Sequence, residues 1–150
     1  MSYQIKERLT QEMKSAMKAK QKERLLVIRT MLAAVKQKEV DERVEVDDDM
    51  LLIILDKQLK QRRESAKIYH EAGRDELVKT EEFEMGIIQE FLPEAMSDDE
   101  INALIEQAIE STSAQSMKDM GKVMGILKPQ VQGKADMSQI SQLIKNKLQG

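Results

Sequence analysis

The sequence predicts an all-α protein: a multihelical N-terminal domain over residues 1–93, then a small three-helix C-terminal domain over residues 94–150. Three observations predict it. Apolar residues recur at three- and four-residue spacing through most of the chain, the pattern of helices with one face in a core. No segment alternates with period two, as a half-buried strand would. Only two prolines occur, Pro93 and Pro129, and helix-capping signals follow the first.

The elements follow in order. Turning each residue by 100°, Ile5, Leu9, Met13, Ala16 and Met17 share one side of a first helix, roughly 2–18. A polar break, AKQK, separates it from a second helix of roughly 22–40 with Leu25, Ile28, Met31, Leu32 and Val35 inward. The acidic DERVEVDDD reads as a loop, with Asp47 or Asp48 capping a third helix of roughly 48–72. That helix carries Leu51, Leu52, Leu55, Leu59, Ala66 and Tyr69 on one side and stops at Gly73, which can take the left-handed conformation after Ala72. A fourth helix, roughly 74–91, places Leu77, Phe83, Ile87, Ile88 and Phe91 at less regular spacing. Pro93 disfavours helical geometry at Leu92 and marks the boundary. Ser97-Asp98-Asp99-Glu100 forms a capping box opening a helix with Ile101, Leu104, Ile105, Ala108 and Ile109 inward. Ser116 and Asp119 open the next helix, which Pro129 is expected to close. Asp136 caps the last, with Ile140, Leu143, Ile144 and Leu148 inward.

Composition excludes several classes of function. With no Cys, disulfides and thiolate zinc sites are impossible, and a reducing cytoplasm is the expected location. The start is charged by Lys6 and has no apolar run of a signal peptide; no stretch approaches the ~18 apolar residues of a membrane span. His70 is the only histidine, so histidine triads and multi-histidine metal sites are ruled out by count. Asp47–Asp49 and Asp98–Asp99 lack the spacing of a calcium loop and are read as helix caps. No catalytic constellation, metal site or cofactor is legible. The net charge of −3 is uneven: residues 117–150 hold six Lys against two Asp, whereas residues 94–116 hold six acids and no base. The local field therefore matters more than the total.

The most informative stretch is SMKDMGKVMGILK. On a helical wheel Met117, Met120, Val123, Met124 and Leu127 span about 120°, and Lys118, Gly121, Lys122 and Gly125 fall opposite within about 100°. A glycine inside a helix costs about 1 kcal/mol relative to alanine, so two on one face imply that something approaches the backbone closely. One occupant is another helix of the chain. The other is an RNA sugar-phosphate strand, which would also use the flanking lysines, Lys128 included. Just beyond, Gly133 permits a turn and Lys134 is either a solvated loop lysine or a phosphate contact. Lys57, Lys60, Arg63 and Lys67 share a polar side of the third helix, but Lys60–Glu64 and Lys67–Glu71 are i,i+4 pairs, so a solvated salt-bridged face is the simpler reading. Arg62 falls inside the apolar stripe and must extend out of it, pair with an acid, or face the other domain. The methionine-rich faces are core first, with a groove for a partner helix as the alternative.

Four ordered stretches, LLVIRTMLAAVKQKE (25–39), KQRRESAKIYHEAGRDEL (60–77), FLPEAMSDDEI (91–101) and SMKDMGKVMGILKPQVQGKADMSQI (116–140), resemble the GatB/YqeY family in its free-standing YqeY-like form. One departure is Met137, where relatives often carry Gly. The resemblance implies kinship with the tail of the B subunit of the tRNA-dependent amidotransferase, which converts mischarged Glu-tRNA or Asp-tRNA to the amide with ammonia from glutamine. In that enzyme the tail holds tRNA and a separate domain, unmatched here, performs the chemistry. The resemblance thus implies a non-catalytic tRNA-binding accessory protein, with Lys118, Gly121, Lys122, Gly125, Lys128, Gly133 and Lys134 near the RNA backbone. Amidotransferase or aminoacyl-tRNA synthetase components are its implied protein partners. The competing readings are a protein-binding adaptor, and carbon-nitrogen ligase activity with glutamine as amido donor, exercised with other subunits.

Overall fold

A computed structural model of the chain describes residues 2–149. Among them the regular structure is seven α-helices and one 3-10 turn, with no strand, so the all-α expectation is met. The chain clusters into two compact units, Met1–Pro93 and Glu94–Gly150.

The first unit holds α1 (Gln4–Lys18), α2 (Lys22–Glu42), α3 (Asp48–Glu71) and α4 (Asp75–Gln89). Leu9, Ile28, Met31, Val35, Leu51, Leu55 and Ile88 form the centre of its core. Each such side chain contributes about 1.5–3 kcal/mol by leaving water. α2 runs two residues further than the sequence suggests, because Gln37 reaches Asp41 at 2.8 Å and Lys38 reaches Glu42 at 3.2 Å along its last turns. Arg43 then ends it in the left-handed region at φ 54°. The connection to α3 is pinned from three sides. Val46 is fully buried, the Asp47 carboxylate accepts the Met50 N–H at 2.9 Å, and Asp48 accepts the Ile5 N–H at 2.9 Å. Glu39 joins the same place by accepting from Lys6 Nζ at 2.7 Å and the Val46 N–H at 3.0 Å. Those bonds hold its carboxyl below the usual range, the one to Lys6 contributing most.

α3 ends as expected, with Gly73 at φ +71° after Ala72. Arg62 resolves into acid pairing: its guanidinium stands 3.0 Å from Glu84 and 3.6 Å from Glu81 of α4. Glu81 is only 8% exposed, and this desolvation pushes its carboxyl up despite Arg62. The face of α4 corrects the wheel. Glu81, Ile88 and half-buried Met85 point inward, so Phe83, two residues and about 200° from Glu81, is 45% exposed.

The second unit holds α5 (Asp98–Thr112), the 3-10 turn Met117–Asp119, α6 (Met120–Val131) and α7 (Met137–Gln149) around Ile101, Ile105, Val123, Leu127, Val131, Ile140 and Ile144. The Ser97 hydroxyl accepts the Glu100 N–H at 3.2 Å, a cap worth about 1 kcal/mol. Two expectations fail here. Pro129 does not close the helix: α6 continues through it to Val131, whose burial completes the core and offsets the single bond that proline cannot donate. Met117 sits in the 3-10 turn rather than in α6, and is exposed rather than packed inward.

Candidate nucleic-acid interface

α6 has two dissimilar sides because its apolar residues recur every third or fourth position. Val123, Leu127 and Val131 are buried, and Met120 and Met124 pack half-buried beside them. Gly121, Lys122, Gly125, Lys128 and Pro129 are all exposed on the other side. A Cβ built on Gly121 or Gly125 would meet no heavy atom within 4 Å. Packing by another helix of the C-terminal unit is therefore not what the two glycines serve. They leave a strip of bare backbone open, and Lys118, in the preceding 3-10 turn, is exposed at its start.

That start is held by Asp119, whose carboxylate accepts the Gln115 N–H at 3.0 Å. This bond is the main reason its carboxyl lies below the ordinary value; the neighbouring Lys122 charge adds a smaller pull in the same direction. At the other end Gly133 adopts φ +77°, so the chain reverses after α6. Lys134 is fixed on that turn by its backbone: its N–H donates to Val131 O at 2.9 Å, and its carbonyl accepts the Met96 N–H at 2.9 Å. Lys134 is half-buried, unlike Lys118, Lys122 and Lys128. Asp136 caps α7, accepting the Ser138 N–H at 3.0 Å. The 12 residues of α6 span about 18 Å, with cations at both ends and between.

Two features of the strip escaped the sequence reading. Pro129 lies on the same side, four residues after Gly125, and has no N–H to give the Gly125 carbonyl, so a hydrogen-bond acceptor accompanies the bare backbone. Its position relative to Gly125 was legible on the wheel; what hid it was the expectation that the helix ends there. Ile126 is 38% exposed beside Lys122, an apolar element that a strip meant only for phosphate does not need.

The remaining candidates belong to the N-terminal unit. Lys57, Lys60, Arg63 and Lys67 are exposed on α3 together with Glu64 and Glu71. His70 is exposed near the end of α3. Among the described residues no group of three or more His, Asp or Glu side chains could hold a metal ion, and no helix is long and apolar enough to cross a membrane.

Comparison with known proteins adds the following. The model of the family described as Yqey-like protein matches residues 6–148. Among curated proteins, the "Altered inheritance of mitochondria protein 41, mitochondrial" of Eremothecium gossypii is 41% identical over 85 residues, covering 56% of this chain and 46% of that protein. The protein of the same name from Pyrenophora tritici-repentis is 27% identical over 130 residues, 85% of this chain and 71% of its own length. The one from Lachancea thermotolerans is 31% identical over 121 residues, 76% and 65% respectively. The chain thus spans about half the length of the first relative and about two thirds of the third. The expectation of a cytoplasmic location is overturned by these names, all of which are mitochondrial. The physical reason it failed is that a cysteine-free composition excludes disulfides without selecting among compartments.

Proposed function

Because the chain belongs to the YqeY-like protein family, we propose that it is a non-catalytic accessory protein that binds tRNA along the outer side of α6. The observation that carries this reading is the open space over Gly121 and Gly125, bordered by the exposed Lys118, Lys122 and Lys128. A sugar-phosphate strand laid on bare backbone gains close approach and several ammonium contacts without base-specific readout. The N-terminal end of α6 adds a favourable dipole for an anion. Lys134, fixed on its turn, supplies a further phosphate contact, and the Gly125 carbonyl offers an acceptor that a ribose 2′-OH can use. An amidotransferase or an aminoacyl-tRNA synthetase is the protein partner that such a role implies.

The test is tRNA affinity at low salt for the whole chain carrying Lys122→Glu and Lys134→Glu. The expected result is a loss of at least ~10-fold, together with a shallower dependence on salt. Unchanged affinity rejects the reading. A second reading, a protein-binding adaptor, draws on one observation, the exposed Ile126 beside the strip. Capture of the same partner from RNase-treated and untreated lysate favours the adaptor; loss of the partner after RNase favours RNA.

A further inference from the structure

The outer side of α6 is one wall of a groove, and the other wall belongs to α7. Two contacts show how α7 is turned. The Ser141 hydroxyl lies 3.9 Å from the Met124 sulfur, so this side of α7 meets α6. Lys147 reaches Glu106 of α5 at 3.1 Å, so a different side of α7 meets α5. α7 also runs back along α6: it begins after the reversal at Gly133, meets Met124 at Ser141 and touches the 3-10 turn that precedes α6.

Helical spacing then places Lys145. It follows Ser141 by four residues, on the same side of α7 and one turn nearer the start of α6. Gly121 precedes Met124 by three residues and Lys128 follows it by four, so both share the side of α6 that borders α7. Lys145 and Gly121 therefore stand at similar height on opposite walls, and half-buried Met124 and Ser141 form the floor between them. Lys145 is exposed, and α7 contains no acidic residue to neutralise it. From Met117 to the end of α7 the only acids are Asp119 and Asp136, and each is engaged by a backbone N–H. On the floor, the Ser141 hydroxyl donates to a thioether, a weak acceptor that a phosphate oxygen readily displaces.

We propose that Lys145 is a fifth phosphate contact beside Lys118, Lys122, Lys128 and Lys134, and that the RNA backbone runs along the α6–α7 groove rather than along α6 alone. The proposal rests on the tRNA reading of α6 and adds a second wall to it. Cations on both walls draw a phosphate to the midline of the groove, and the missing side chain at Gly121 leaves room for it opposite Lys145. An excess of lysine over two backbone-engaged aspartates selects a polyanion.

Binding of unfractionated tRNA to the whole chain, followed by fluorescence anisotropy over a salt series, tests this with two matched variants. Lys145→Gln and Lys147→Gln remove the same charge from exposed positions two residues apart, but the side chains leave α7 about 200° apart. Circular dichroism melts check that both variants stay folded. The expected result for Lys145→Gln is a loss of at least ~5-fold at low salt, with the slope of log affinity against log salt shallower by about 1. Lys147→Gln stays within about twofold of wild type with its slope unchanged. Equal losses in the two variants, or none in Lys145→Gln, overturn the groove; the tRNA reading itself then still stands if Lys122→Glu with Lys134→Glu weakens binding. A wild-type chain that binds no tRNA rejects both.

Discussion

Two helices of this protein, α4 and α6, each carry exposed glycine with open space above it, yet the side chains that border the two glycine surfaces differ. On α6 the glycines are flanked by lysines, and the acid nearest them in sequence, Asp119, is engaged by the Gln115 backbone. On α4 the glycine lies between a phenylalanine and charges of both signs. An interior glycine costs about 1 kcal/mol in either helix, so in both places close approach is the common gain. What differs is the rim. One sign of charge selects a polyanion; an apolar knob with balanced charge selects a protein surface. A helical glycine alone says only that backbone is bare; its neighbours say for what.

The comparison breaks or sharpens under variants that treat the two helices separately. The largest effect expected is on salt dependence. If Lys118, Lys122, Lys128 and Lys134 make the four phosphate contacts proposed, tRNA affinity measured by fluorescence anisotropy should fall roughly 100-fold between about 50 and 200 mM salt. Gly86→Leu should leave that affinity within about twofold of wild type; a large loss would mean that α4 and α6 are not independent surfaces. Next comes a divergence between stability and binding. Gly121→Ala and Gly125→Ala meet no neighbour, so each should stabilise the C-terminal unit by up to about 1 kcal/mol in denaturant melts. Each should nonetheless weaken tRNA binding, because a methyl group would stand where the proposed sugar-phosphate strand would lie. Stabilisation without loss of affinity would remove the reason given for the glycines.

The smallest effects concern pH, and they run in opposite directions within the N-terminal unit. Glu39 has its folded-state pKa lowered by Lys6 and the Val46 N–H. It therefore contributes stability that is fully present above its ordinary value of 4.5 and is lost as pH falls through the depressed folded value. Glu39→Gln should lower the melting temperature at neutral pH and matter less in acid. Glu81 has its folded-state pKa raised by burial, so its contribution is fully present below 4.5 and is lost as pH rises through the raised value. Glu81→Gln should therefore cost nothing at neutral pH and raise the melting temperature slightly, while Arg62 keeps Glu84 at 3.0 Å. Melts at pH 4 and pH 7 decide both; a neutral-pH loss of stability in Glu81→Gln would show that its pairing with Arg62 outweighs its desolvation.

Helices whose apolar residues repeat without interruption were legible from sequence. The cores of α1, α2, α3, α5 and α7 hold Leu9, Ile28, Leu55, Ile105 and Ile144 as the period requires. The Ser97 and Asp47 caps and the Gly73 stop formed as their local chemistry dictates. Reading was poorest where a local signal competed with a distant one. Pro129 signals an end, but Val131 is needed in the core, and burial won. Phe83 signals burial, but Arg62 and the aliphatic residues of α4 oriented the helix, and the ring was left outside.

By itself, then, the sequence determined the helical class, the caps and the two-sidedness of α6, because these depend on period and on contacts a few residues apart. Which side of α4 would face inward, and whether Gly121 and Gly125 would be covered or bare, depended on the tertiary structure. Those outcomes turn on side chains far apart in sequence that compete for the same limited interior, a competition no local pattern can settle.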